Sequence, residues 1–282
     1  MAEPLALPIR VLVKGPSTVS WISWMGGPPS DLAYPRAIQA ELHRTGRPAD
    51  VQNRGVLGEP MRSWFPPWEQ EILQFSPDVL VLSPCHYETV HLFLPHWFER
   101  HANKFATRSG RLMAWYRKRP LRLVWMIAVK LQGAIDSRLP ARVRRGRMRR
   151  AVADLEAYLR HAQFVGSPLV LIMELLTPGI RQSAWFPGMA GRLEATNEAM
   201  RELVERLDQP HVRWFPTSEV ARAMYGDDAQ APTPDGFHYT PELHHTIGVE
   251  LAREIAAWAD QQPHLAPEPA PAREPVARGA VG

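Results

Sequence analysis

Arg10-Val11-Leu12-Val13-Lys14-Gly15-Pro16-Ser17-Thr18-Val19-Ser20-Trp21 is the stretch on which the fold turns. The apolar run from Ile9 to Val13 predicts a buried strand. It breaks at Lys14-Gly15-Pro16, and Ser17 follows. In an α/β chain, a serine on the turn leaving the first strand lies outside the carboxyl ends of the strands, where such sheets place their chemistry. A helix opening there would turn free N–H groups and a positive dipole end toward an anion. A turn serine or N-cap has the same local pattern, so the reading of Ser17 depends on the rest of the chain.

Downstream, apolar runs alternate with helical periodicity. Residues 30–46 read as a helix ending near Gly46, with Ile38 and Leu42 four apart. A short strand ends near Asn53 and enters a loop bearing Gly55 and Gly58, and Trp68 to Phe75 supplies a turn or two of helix. Residues 79–83, VLVLS, form a continuous apolar run expected to be buried on both faces, and it ends at Pro84-Cys85-His86-Tyr87-Glu88. Leu121 to Ile135 has helical spacing, and Ala151 to Phe164 is amphipathic through Val152, Leu155 and Leu159. A strand is expected within Pro168 to Gly179, a helix over Met189 to Leu207, a last strand over His211 to Phe215 and a final helix from Thr240 to about Trp258. This alternation predicts an α/β chain: a three-layer α/β/α sandwich on a mostly parallel, flavodoxin-like five-stranded sheet. Residues 1–262 make one domain, with 89–150 as a basic helical insertion or cap after the third strand. Residues 263–282, dominated by proline and alanine, are expected to be a disordered tail.

The 282 residues suffice for one large domain, and 45% hydrophobic with 22% charged residues fits a soluble protein. Cys85 is the only cysteine, which excludes an internal disulfide. The N-terminus lacks the basic and apolar regions of a signal peptide, and the apolar stretch Leu121 to Leu131 is too short and too charged to span a bilayer. Cytoplasmic placement is the expectation. The net charge of +4 conceals an asymmetry: residues 100–150 hold sixteen Lys/Arg against Asp136 alone, a local +15 beside −11 for the remainder. Three readings follow for this segment. It is a solvated cap with salt bridges to the acidic remainder, a surface for an anionic ligand or membrane with Trp115, Tyr116, Trp125 and Met126 among the arginines, or a dock for an anionic acyl carrier. No nucleic-acid motif accompanies the charge.

Near the far end of the chain, Pro234-Asp235-Gly236-Phe237-His238-Tyr239-Thr240 precedes the last helix. Three residues of separation on a loop let the Asp235 carboxylate meet Nδ1 of His238 and leave Nε2 outward, able to take a proton from a serine hydroxyl and return it to a leaving group. Neither Asp-x-x-His nor a strand-end serine is specific alone; together, with glycine loops between them, they form a constellation. The row His86, His91, His96 and His101 turns about 500° per step on a helix and is interrupted by Pro95, which is poor metal geometry. His244 and His245 are expected on the surface or rim of the last helix.

These blocks resemble those of the SGNH/GDSL hydrolase superfamily. Gly15-Pro16-Ser17 is similar to the block that carries the nucleophile. Asn53-Arg54-Gly55-Val56-Leu57-Gly58 looks like the second block, whose last glycine lends an oxyanion N–H. Pro77 to Glu88 occupies the third, and Asp235-Gly236-Phe237-His238 matches the last. Arg192 to Asn197 and the helix that follows resemble the usual approach to that last block. The resemblance covers residues 9–88 and 165–260. It implies a serine hydrolase acting on an ester or acyl group, with Ser17 as nucleophile, His238 as base and Asp235 as its orienting carboxylate. The Ser17 and Gly58 N–H groups would form the oxyanion hole, and no metal or organic cofactor is implied. Two departures stand out. Pro16 replaces the usual acid before the serine, and the third block lacks its asparagine, whose position falls on Tyr87 when counted from Pro77. One oxyanion donor is worth on the order of 3–4 kcal/mol, so Tyr87 or His86 would have to supply it. Trp21, Cys85, Glu88 and Phe237 are candidate substrate contacts. An acyltransferase on the same frame and a non-catalytic binding or docking module are the alternatives. The substrate expected is a small-molecule or carrier-bound acyl compound.

Overall fold

Alternation along the strands builds two apolar faces. On one, Val11, Val13, Val79, Val81, Leu169 and Leu171 are buried; on the other, Leu12, Leu80, Leu82, Val170 and Ile172. The computed structural model describes residues 7–20, 29–56, 58–90, 110–136, 138, 141–178 and 188–265. In chain order, β1 (Ile9–Gly15) leads through a 3-10 turn to α1 (Pro29–Leu32), α2 (Tyr34–Arg44) and β2 (Ala49–Gly55). A π-helical turn (Glu69–Gln74) precedes β3 (Val79–Leu82), which runs into α3 (Tyr87–Val90). The helices α4 (Arg111–Tyr116), α5 (Arg122–Asp136) and α6 (Ala141–Val165) come before β4 (Leu169–Met173). The chain then forms α7 (Met189–Leu207), β5 (Val212–Phe215), α8 (Thr217–Tyr225) and α9 (Pro241–Ala259).

The five strands lie in the order β2-β1-β3-β4-β5, and every pairing is parallel. The α2 and α9 helices cover the first face through Ile38, Leu42, Ile247 and Leu251. The second face is covered by α6 and α7 through Leu155, Leu159, Met200 and Leu203. The expected three-layer α/β/α sandwich is therefore the observed one. Gly248 lets α9 settle closely onto α2, since a Cβ there would lie 2.4 Å from that of Ala37.

Lys14 continues the alternation of Leu12 and so points into the second face, where it is only 1% exposed. A buried ammonium is tolerated only with a counter-charge, and Glu71 on the π-helical turn ion-pairs with it.

Several boundaries differ from expectation. The single helix over 30–46 is two, divided at extended Ala33, because Pro35 has no N–H to continue the ladder. β2 extends to Gly55 rather than ending near Asn53. The boundary at residue 150 falls inside α6, a continuous helix of 25 residues that begins among the arginines and then packs into the core through Leu155, Leu159 and Ala162. No expectation covered α8. His244 is not at the rim: it is fully buried, and its Nδ1 accepts the Tyr34 backbone N–H at 3.2 Å. Of the histidine row, His91, His96 and His101 lie outside the described residues, as does most of the tail.

Candidate active site

β1 ends at a point where only glycine fits. A Cβ on Gly15 would lie 2.6 Å from the Ser83 carbonyl oxygen and 2.8 Å from Cγ2 of Val19. This close approach holds the ends of β1 and β3 together, with the Ser83 N–H donating to the Lys14 carbonyl at 2.8 Å. Pro16 then leads into a single 3-10 turn, Ser17–Val19, headed by Ser17. The Asn53 side chain ties this turn to β2. Its Oδ1 accepts from Gly55 N at 2.9 Å and from the Ser20 hydroxyl at 3.1 Å.

The opposite side of the site comes from a loop near the other end of the chain. The loop between α8 and α9 folds on itself through Gly236, whose φ is +96° and whose N–H donates to the Thr233 carbonyl at 2.7 Å. Thr240 caps α9 by accepting the Leu243 N–H at 3.1 Å, and Pro241 follows. Asp235 Oδ1 accepts the backbone N–H groups of Phe237 and His238 at 3.0 and 2.8 Å, while Oδ2 meets Nδ1 of His238 at 2.7 Å. His238 Nε2 lies 2.9 Å from the Ser17 hydroxyl oxygen, across 221 positions of sequence.

The electrostatics fix the proton positions. Burial pushes the Asp235 carboxyl up, but the hydrogen bond and charge of His238 and the two backbone donors outweigh it, holding Asp235 below its ordinary range. An ionised carboxylate only accepts, so Nδ1 of His238 carries the hydrogen. Nε2 is then the lone pair that receives the Ser17 O–H.

The third block is arranged differently from expectation. Cys85 and His86 leave β3 and, with Phe237, line a cleft of about 30 Å³ beside Ser17; the His86 and Phe237 rings meet edge-on, their centroids 5.6 Å apart. His86 is 5% exposed, and burial pushes its imidazole down to about 4. Its Nε2 lies 3.0 Å from the Leu176 carbonyl oxygen. A neutral ring has one N–H, and a carbonyl can only accept, so that hydrogen is spent on Leu176 and Nδ1 is left an acceptor. The ring is therefore not the oxyanion donor it was expected to be. Tyr87 opens α3, and its side chain lies outside the described residues. Glu88 is not a substrate contact: it is buried, turned to accept the Met61 N–H at 3.1 Å, and pushed up to about 7 by burial. Trp21 lies outside the described residues. Gly58 has φ +67° in a turn closed by the Glu59 N–H to the Val56 carbonyl at 3.1 Å, at the exit of β2.

Asn197 on α7 was noted in the sequence only as part of a likeness. Its side chain brackets Leu175, accepting from N at 3.1 Å and donating to O at 2.9 Å, next to the Leu176 carbonyl that holds His86. Its phase, four residues after Leu193 and three before Met200, was the available signal. Among the described residues, no group of three or more His, Cys, Asp or Glu side chains gathers to hold a metal ion.

No family model matches the sequence, and no curated protein matches it. Solved structures do. A lipase/acylhydrolase from Enterococcus faecalis superposes over 88% of this chain and 96% of its own, with a TM-score of 0.56 at 12% identity. The acetylxylan esterase Axe2 from Geobacillus stearothermophilus covers 89% and 95%, with a TM-score of 0.56 at 12% identity. A GDSL-like lipase from Parabacteroides merdae covers 90% and 98%, with a TM-score of 0.52 at 14% identity. The chain shares the fold of these lipases, acylhydrolases and esterases.

Proposed function

We propose that this chain is a serine hydrolase of ester bonds. The observation that carries the reading is the unbroken relay from Asp235 through His238 to Ser17, at 2.7 and 2.9 Å. Ser17 Oγ attacks the ester carbonyl carbon as His238 Nε2 takes its proton. The tetrahedral oxyanion is received by the backbone N–H groups of Ser17 and Gly58. Collapse breaks the bond to the alkoxy oxygen, which leaves with the proton from His238. Water then attacks the acyl-Ser17 carbonyl, again through His238, and the carboxylic acid departs. Asp235 stays ionised throughout and stabilises the imidazolium. One solved structure of Axe2, a fold neighbour, is of a catalytic mutant with serine changed to alanine, which fits a serine nucleophile on this frame.

A fluorophosphonate probe tests the reading. Ser17 is labelled in the wild type, while Ser17→Ala gives no adduct and His238→Ala labels far more slowly. Folded wild-type protein that takes no label refutes the hydrolase and leaves a binding module. The third block favours one further reading, acyl transfer. The expected carboxamide donor is absent and His86 is committed to Leu176, so water is activated against a weaker oxyanion hole. Labelling of Ser17 without turnover of p-nitrophenyl acetate selects that reading.

A further inference from the structure

The helical segments from Arg111 to Asp136 follow one another without a break: α4, a π-helical turn (Arg117–Leu121) and α5. On α5 one exposed face is apolar. Leu123, Ile127 and Leu131 are 57%, 57% and 60% exposed, with Val124 and Ile135 beside them. At about 100° per residue these positions fall within an arc of roughly 120°. That is the stripe a globular helix normally turns inward. Leu112 and Trp115 on α4 are 72% and 56% exposed. Exposed Arg111, Arg119 and Lys130 accompany this face, and Lys130 borders the arc itself.

We propose that this face is a docking surface for an anionic phospholipid bilayer, lying flat in the headgroup region. Charge decides the occupant. The surrounding segment carries the local +15, and among the described residues Arg111, Arg119 and Lys130 make no ion pair with the acidic remainder of the chain. The solvated-cap reading required such pairs. A second copy would bring the same positive charge against itself. Leucine, isoleucine and tryptophan with flanking arginine and lysine match the interfacial region, where the apolar side chains sink and the cations meet lipid phosphates. No described helix is long and apolar enough to cross a membrane, so the face lies on the bilayer. In chain order the surface follows β3, whose exit residues Cys85 and His86 line the cleft beside Ser17.

Co-sedimentation with vesicles tests this independently of catalysis, and it can be read in the Ser17→Ala protein. The full chain is expected to pellet with phosphatidylcholine vesicles containing roughly 30% phosphatidylglycerol and to stay in solution with pure phosphatidylcholine. At about 0.5 M salt the binding weakens. The triple variant Leu123→Ser/Ile127→Ser/Leu131→Ser loses roughly tenfold or more of the partitioning, and Arg119→Glu/Lys130→Glu loses the preference for the anionic lipid. Unfolding midpoints equal to the wild type show that both variants are folded. Equal pelleting of wild type and triple variant overturns the proposal, as does absence of binding to the anionic vesicles. A dimer seen by light scattering that the triple variant abolishes, without lipid binding, overturns it in favour of a second copy.

Discussion

Asp235 grips His238 at both ends, taking its backbone N–H on Oδ1 at 2.8 Å and its imidazole Nδ1 on Oδ2 at 2.7 Å. The carboxylate therefore fixes the loop and the tautomer separately. In Asp235→Asn the remaining carbonyl oxygen still accepts the backbone N–H groups, so the loop keeps its shape. The new amide donates toward Nδ1, which drives the imidazole hydrogen to Nε2 and removes the lone pair facing Ser17. Ester turnover is expected to fall by ~10³- to 10⁴-fold with little change in stability. Steady-state kinetics beside a thermal melt check this. A loss of folding equal to the loss of activity contradicts it.

The ion pair between Lys14 and Glu71 yields a prediction with a built-in control. Lys14→Met leaves the Glu71 carboxylate buried alone, and about 3–5 kcal/mol of stability is expected to go. The double variant Lys14→Met/Glu71→Leu removes both charges and is expected to be more stable than the single one. Urea unfolding curves of the two proteins measure the difference.

Glu88 makes stability depend on pH. Its carboxyl is raised from 4.5 to about 7 by burial, so the folded state binds a proton that the unfolded state has released. Stability contributed this way is fully present below the unfolded value, declines as pH rises between roughly 4.5 and 7, and is lost above the folded value. Glu88→Gln mimics the protonated form. It is expected to flatten that slope and to be more stable than the wild type at pH 8 by about 2–3 kcal/mol. A steeper slope in the variant refutes the assignment.

Gly15→Ala should separate folding from chemistry least cleanly of all. The added methyl meets the Ser83 carbonyl oxygen at 2.6 Å, so β1 and β3 must part where the Ser17 turn begins. A cost of about 1–3 kcal/mol is expected, together with a lower kcat, because the hydroxyl moves relative to His238. Wild-type kcat in a folded Gly15→Ala protein would show that the close approach does not position Ser17.

Legibility in the sequence followed burial. α7 spans Met189–Leu207 as its periodicity predicts, because Met200 and Leu203 face the sheet and Leu193 packs with Leu175 and Met189. Strands buried on both faces announced themselves as apolar runs at β1, β3 and β4. His244 was misread from its residue type, although its phase puts it beside Ile247 and Leu251 on the inward side of α9. The meeting of Ser17, Asp235 and His238 was legible because Ser17 and Asp235 each stand next to a turn residue, Pro16 and Gly236, and His238 follows Asp235 by three positions. The role of His86 was not. It depends on Leu176, 90 positions away, and no local spacing reports a hydrogen bond between two separate crossovers. The length of α6 was hidden for another reason: its first turns carry arginines rather than an apolar stripe.

The 221-residue separation of Ser17 from His238 bears on how the chain is made. On the proposed function, a ribosome threads out the nucleophile 221 residues before its proton acceptor, and the loop that leads into α9 must then settle beside the β1 exit before the two can touch. A nascent fragment that stops short of His238 is expected to be unreactive, whatever it has already folded. Reactivity toward a suicide probe would thus be a timestamp for the final docking event, readable on arrested translation products without purifying them.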